Sequence, residues 1–150
     1  MQELLGFLEE ANKHTYAADG KRSDSSRLQS EDLEYAKGDL LYHDTYFGGR
    51  DFIGEEIVYK KRFPVWGMNY YGFLLTNDRG ENEIYNFLKE VLRQEYTDII
   101  PVRGPKKYTK DNWLYTNTVN GELDRFSGTE EIQFEKTTVY RAWYHGGYIQ

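Results

Sequence analysis

Apolar and polar positions follow two periods along this chain. Leu4, Leu5, Leu8 and Ala11 recur at helical spacing and predict an amphipathic helix over about residues 2–13. Gly6 inside it costs about 1 kcal/mol relative to alanine, so this helix depends on docking. Ile84, Phe87, Leu88, Val91 and Leu92 repeat the pattern more fully and predict a helix over 81–94. Asp78 with Glu81 resembles a capping box at its start.

Elsewhere the period is two. Leu33 and Tyr35 alternate before a turn at Lys37-Gly38. Residues 39–47 and 50–59 flank Gly48-Gly49, a hairpin signal. Residues 65–75 read as a further strand after Phe63-Pro64. Pro101 and Pro105 bracket an extended segment. Asn120-Gly121 predicts a second hairpin with a type I′ turn, and two last strands lie near 130–135 and 138–145. Between Ala18 and Asp32 the chain is polar, rich in Ser, Asp and Lys, with Leu28 its one large apolar residue. A stretch of this length reads as a flexible or functional loop over 18–32.

The order helix, strands, helix, strands predicts an α+β fold. The expected form is a single domain over 1–150, with a largely antiparallel, curved sheet of about six to eight strands and two main helices packed on it. No internal repeat or linker interrupts it.

Composition sharpens that picture. The 150 residues would bury roughly 70% of the surface of the extended chain. There is no cysteine, which excludes disulfides, thiolate metal sites and cysteine nucleophiles. The acidic start, Met1-Gln2-Glu3-Leu4-Leu5, lacks the positive charge of a signal peptide, and no run approaches the ~18 apolar residues of a membrane span. The expected location is the cytoplasm, away from membranes. Fourteen tyrosines dominate the aromatic content, so the core must be aromatic, with hydroxyls that need partners.

Net charge is −6 but unevenly distributed. Residues 1–58 carry 6 Lys/Arg against 13 Asp/Glu, residues 59–110 carry 10 against 6, and residues 111–150 carry 3 against 6. The acidic total argues against direct nucleic-acid binding. The basic middle reads as a solvated face or a local anion site.

The first hairpin carries the most chemistry. Tyr42, Asp44 and Tyr46 share one face of a strand. A two-residue turn at Gly48-Gly49 pairs Tyr46 with Asp51, Asp44 with Ile53 and Tyr42 with Glu55. A three-residue turn sets Tyr42 against Glu56. In either register a glutamate lies diagonal to Asp44, about 7–8 Å away. Glu55 and Glu56 are neighbours, so only one of them faces this site. Two carboxylates among tyrosines suit acid–base work, a cation or polar ligand, or internal pairing with Arg and Tyr.

Arg103 in Arg103-Gly104-Pro105 is a fork for a carboxylate or phosphate, internal or on a ligand. Trp66, Met68 and Tyr70 alternate as core, with stacking of Trp66 on a ligand as the other reading, and Asn69 faces away. His145 precedes Gly146-Gly147 at a strand end and reads as a rim residue or a proton carrier. The three histidines lack metal-ligand spacing. There is no phosphate loop, dinucleotide fingerprint, nucleophile elbow or helix-turn-helix signature.

Several separated strings taken together carry a resemblance. They are Ser26-Arg27…Asp32-Leu33-Glu34-Tyr35; Tyr42…Asp44-Thr45-Tyr46…Gly48; Phe52-Ile53-Gly54-Glu55-Glu56; Pro64-Val65-Trp66-Gly67-Met68-Asn69-Tyr70; Arg103-Gly104-Pro105; and Val139-Tyr140…His145-Gly146-Gly147. The chain resembles an uncharacterised bacterial family, domain of unknown function 5680, over nearly its whole length. Leu28 stands where that pattern has proline, and Arg125 where it has an aromatic. The resemblance implies that some relatives carry this domain after an Xre-type helix-turn-helix, which suits a sensor or interaction role. That module has no counterpart in this sequence.

The leading expectation is a small-molecule-binding or sensor-like domain. Its ligand is a small polar molecule and its residues are Tyr42, Asp44, Tyr46, Glu55 or Glu56, Trp66, Asn69, Arg103 and His145. The alternatives are a hydrolase or lyase using the acidic pair, and a protein-interaction module, for which a homodimer is one form. No cofactor is indicated.

Overall fold

Alternation of large and small or polar side chains builds most of this molecule. The computed structural model describes residues 2–15 and 22–150. Its chain order is α1 (Gln2–His14), β1 (Arg22–Ser23), β2 (Glu31–Lys37), β3 (Leu40–Gly48), β4 (Phe52–Lys60), β5 (Phe63–Leu74), α2 (Glu81–Leu92), β6 (Lys107–Lys110), β7 (Trp113–Glu122), β8 (Arg125–Phe134) and β9 (Thr137–Tyr148). The strands form one sheet in the order β1-β2-β3-β4-β5-β9-β8-β7-β6. Every pair is antiparallel. Two meanders, β1 to β5 and β6 to β9, therefore meet edge to edge at β5 and β9.

This corrects the expected fold class. The molecule is mainly one nine-stranded antiparallel sheet, and the helices, of 13 and 12 residues, are minor elements. It is not an α+β fold of six to eight strands with two main helices. The difference arises where short or long strands escape a simple alternation. Lys107–Lys110 is only four residues, Arg22–Ser23 only two, and β8 begins at Arg125. Of the polar stretch 18–32, residues 18–21 lie outside the described residues.

One sheet face is covered and mainly apolar. It carries Tyr42 and Leu40 on β3, Val58 on β4, Trp66, Met68 and Tyr70 on β5, Tyr140, Ala142 and Tyr144 on β9, Phe126 and Ile132 on β8, and Tyr115 on β7, all buried. Phe7, Leu8 and Ala11 of α1 join one end of this core. Ile84, Phe87, Leu88 and Val91 of α2 join the other. No helix among the described residues is long and apolar enough to cross a membrane.

The glycines explain how so many tyrosines fit. Gly54 pairs with Tyr70 across β4 and β5, and Gly128 with Tyr144 across β8 and β9. In each pair the ring lies over the glycine: a Cβ would come within 2.3 Å of Tyr70 Cζ or 2.2 Å of Tyr144 Cζ. The absent side chain is the slot for the ring.

Both hairpins turn later than their glycines suggest, the second by three residues. Gly48 (φ +97°) ends β3 opposite Phe52, and the turn is Gly49–Asp51. Asp44 therefore lies directly opposite Glu56, and Tyr42 opposite Val58, in neither of the expected registers. Gly121 (φ +94°) lies within β7 opposite Phe126, and the turn is Leu123-Asp124 rather than Asn120-Gly121. In both cases a left-handed glycine brings its backbone against the carbonyl closing the turn: a Cβ would be 2.2 Å from Asp51 O or Arg125 O. The expected capping box is also absent. Gly80 is the N-cap of α2, without a side-chain cap, and Pro101–Pro105 forms turns rather than an extended segment.

Gly128→Ala should destabilise the fold by about 1–3 kcal/mol or more, because the methyl group and the Tyr144 ring claim the same space. Urea unfolding measures it. A matched Gly49→Ala change, where a Cβ meets nothing within 4 Å, should cost much less.

Candidate functional site

The Asp44–Glu56 pair stands on the covered face at the middle of β3 and β4. Directly opposed residues in an antiparallel sheet have Cβ atoms about 4.5–5.5 Å apart. Both residues are buried, at 2% and 4% exposure. The Tyr70 hydroxyl donates to Asp44 Oδ1 at 2.6 Å. Tyr42 hydrogen-bonds Glu56. Glu56 Oε2 is buried with no hydrogen-bond partner among the described residues.

Asp44, Glu56 and Tyr70 line one side of a cavity of about 220 Å³, with Tyr42 behind them in the core. Tyr46, Gly48, Gly49 and Phe52 line it from the hairpin, Tyr85, Lys89 and Leu92 from α2, Asn12 from α1, and Val102 and Arg103 from the loop before β6. Tyr85, Lys89 and Leu92 form the i, i+4, i+7 stripe beside the apolar stripe of α2, which is why one helix both fills the core and walls the cavity.

Arg103 is held by a second buried acid. Glu130 Oε1 accepts from Arg103 Nε at 3.1 Å and Nη2 at 2.6 Å, and from the Tyr140 hydroxyl at 2.7 Å. Glu130 Oε2 accepts from Tyr115 at 2.6 Å. The loop is pinned further by Gly104 N donating to Tyr115 Oη at 3.2 Å and by Asn117 Nδ2 donating to Gly104 O at 2.9 Å. The Tyr96 hydroxyl donates to the Arg103 carbonyl.

Electrostatics separates the acids. Burial pushes Asp44 up to about 6, against the pull of the Tyr70 hydrogen bond and of Arg103. Burial, reinforced by repulsion from Asp44, pushes Glu56 up to about 8, with Arg103 and Tyr42 opposing. At neutral pH the pair therefore retains a proton, held mainly on Glu56. Tyr70, in the same environment, is raised well above the ordinary phenol value by burial and by the two acids, and remains a donor.

The structure thus brings together Tyr42, Asp44, Tyr46, Glu56 and Arg103. It separates the others. Trp66 is buried in the core, its Nε1 donating to Leu123 O at 3.1 Å. Glu55 points to the reverse face and pairs with Arg27 at 3.0 Å. Asn69 and His145, paired in register, lie on that reverse face in a shallow cleft with Ile53, Tyr71 and Trp143. The missed contributors include Tyr70, Phe52, Tyr85, Lys89, Leu92, Val102, Asn12 and Glu130. Glu130 had a readable signal: it is the one charged residue in the inward series Phe126, Gly128, Glu130, Ile132.

A second polar cluster lies on the reverse face. Asp32 accepts from Ser26 at 2.5 Å, from Ser30, from Thr45 at 2.9 Å and bonds His43 Nε2 at 2.7 Å. Burial opposes its ionisation, but these hydrogen bonds together hold its carboxyl well below the usual range. They tie the 26–30 segment to β2 and β3. Among the described residues no group of three or more His, Asp or Glu is placed to hold a metal ion.

A family model described as Domain of unknown function (DUF5680) matches residues 44–149, so the chain belongs to that family. No curated protein and no solved structure matches it.

The acids set opposite pH dependences. Asp44 and Glu56 have raised folded pKa values, so the unfolded chain ionises first. Their stabilisation is complete below the ordinary carboxyl range and is lost as pH rises through about 6 and then about 8. Asp32, being lowered, stabilises above the ordinary aspartate value and fails only in strong acid. Glu56→Gln should remove the upper loss and unfold at higher urea than wild type above pH 8, by on the order of a few kcal/mol. A variant less stable than wild type at every pH would contradict this assignment.

Proposed function

We propose that this member of the DUF5680 family is a small-molecule-binding domain whose site is the cavity between β3–β5, the two helices and the Val102–Arg103 loop. One observation carries the reading. Glu56 lies against the cavity, almost fully buried, with no partner for Oε2 among the described residues and with Asp44 opposite it. A packed core gains nothing from such an arrangement, because an unsatisfied buried oxygen costs roughly 1–3 kcal/mol. A ligand that supplies the missing partner makes the same residues useful. The apolar walls and the few convergent polar groups match the usual make-up of a ligand pocket. The setting that fits is the bacterial cytoplasm, and the role that fits is that of a sensor or carrier for a small polar compound.

A second reading is acid–base catalysis, as in a hydrolase or lyase. The observation favouring it is the separation of the pair, with Asp44 ionising before Glu56. That is how two carboxyls divide the roles of base and acid.

A thermal-shift screen of metabolites, followed by NMR mapping, tests the leading reading. Stabilising compounds should perturb Tyr46, Phe52 and Tyr85, and Leu92→Trp, which fills the cavity, should abolish their effect by at least tenfold in affinity. Binding that survives Leu92→Trp, or maps to the reverse face, would refute it. Turnover of a bound compound that stops in both Asp44→Asn and Glu56→Gln would favour the catalytic reading.

A further inference from the structure

We infer that the cavity selects small organic cations, single-ring or short-chain amines and amidines, and takes them up in exchange for a proton. This rests on the cavity being a ligand site and adds the chemical class of the ligand.

The first argument is charge balance. Three buried carboxyls, Asp44, Glu56 and Glu130, share this region with one buried cation, Arg103. Arg103 directs two donors to Glu130. Among the described residues no buried cation pairs with Asp44 or Glu56, and Arg103 acts on them only from its place on Glu130, so the pair calls for positive charge. A proton supplies it in the free protein, and a cationic head group would supply it in the complex. An anion would meet two carboxyls, and a neutral ligand would leave the imbalance in place.

The second argument is the walls. Tyr46, Phe52, Tyr70 and Tyr85 all line the cavity. Aromatic faces attract an ammonium or amidinium through the ring quadrupole, and more so where water is excluded. A hydrated metal ion would instead need several oxygen ligands, which these rings do not provide. The third is size. A cavity of about 150 Å³ accepts benzene, so about 220 Å³ has room for one ring with a short charged arm.

Every charged or titratable group around the pair belongs in this account. Tyr42 and Tyr70 donate to it from β3 and β5. Tyr46 and Tyr85 are further phenols at the walls. Arg103 favours ionisation of both acids, and Glu130 from β8 opposes that of Glu56. His43 and Asp32, across the sheet, act on Asp44 in opposite directions. Lys89 on α2 is the other cation among the lining residues, and it is partly exposed, where solvent screens it.

The test is a charge series on the intact chain: benzylamine and benzamidine against benzyl alcohol and phenylacetate, by calorimetry and NMR. Benzylamine or benzamidine should bind at least tenfold more tightly than benzyl alcohol, with phenylacetate weaker still. Calorimetry in buffers of different ionisation enthalpy should show release of up to one proton near neutral pH. Affinity should rise by up to about tenfold per pH unit towards the Glu56 titration. Glu56→Gln and Asp44→Asn should each lower amine affinity at least tenfold and suppress proton release, while both remain folded by circular dichroism. Equal or tighter binding of benzyl alcohol or phenylacetate, pH-independent affinity, or displacement of the amines by magnesium or calcium would overturn the inference while leaving the cavity as a ligand site. Failure of all four probes, together with an empty metabolite screen, would overturn both.

Discussion

Glu130 is the constraint on which the rest of this arrangement depends. Its carboxylate lies at zero exposure in the middle of β8 and takes hydrogen bonds from β7, β9 and the loop before β6 through Tyr115, Tyr140 and Arg103. A lone buried carboxylate would be prohibitively expensive, and the Arg103 guanidinium makes it tolerable. The consequence is positional. Because Arg103 must reach Glu130, the Pro101–Pro105 loop is drawn onto the sheet, and Val102 and Arg103 become a wall of the cavity. Asn12 Nδ2, donating to Pro101 O at 3.1 Å, then fixes α1 to that loop. One buried acid thereby sets the distance between a helix, a loop and the sheet.

Asp44 and Glu56 are the contrasting case. They share the buried face and the low dielectric but have no cation of their own. Two tyrosine hydroxyls, the pull of an Arg103 already engaged by Glu130, and a retained proton compensate them. Glu130 is fully served and structural, whereas Glu56 keeps an oxygen with no partner among the described residues, beside a cavity. The same chemistry, a carboxyl group on an inward strand position, is thus resolved in one place by a partner and in the other by protonation. Groups whose environment costs stability, retained beside a cavity, are the usual mark of a site shaped by something other than folding.

Much of this was legible from local pattern. Period two identified the strands that carry Tyr42, Asp44 and Tyr46, and period 3.6 identified both helices within two residues of their ends. The tyrosine content correctly implied a hydrogen-bonded aromatic core. The register was not legible. Gly48-Gly49 and Asn120-Gly121 look like two-residue turns, but a glycine with positive φ can also end a strand against the carbonyl that closes a slightly later turn, and the sequence does not distinguish the two. A shift of register decides which of Glu55 and Glu56 meets Asp44, so the identity of the acidic partner stayed open until the pairing was known. The joining of β5 to β9 was equally hidden, because it links segments separated by α2 and three strands. That long-range pairing sends Asn69 and His145 to the reverse face together, away from Asp44. Overestimating the helices had a simple cause: their periodicity is strong and easily seen, while two- and four-residue strands carry almost no periodic signal.

The extent of the family match gives these parts different standing. It begins at Asp44 and runs to residue 149, so it contains both acids of the pair, Arg103, Glu130, the α2 stripe and all four aromatic walls. Only Asn12 among the lining residues falls outside it. The floor and most of the walls therefore lie in the matched segment, whereas α1, β1 and β2 lie outside it. α1 contributes apolar packing through Phe7, Leu8 and Ala11, and one polar side chain that grips the loop rather than the acids. Its effect on the cavity is thus mechanical. It closes one side and steadies the loop, and through the loop the guanidinium. The charge imbalance that defines the cavity's chemistry lies wholly in the residues that the family model covers.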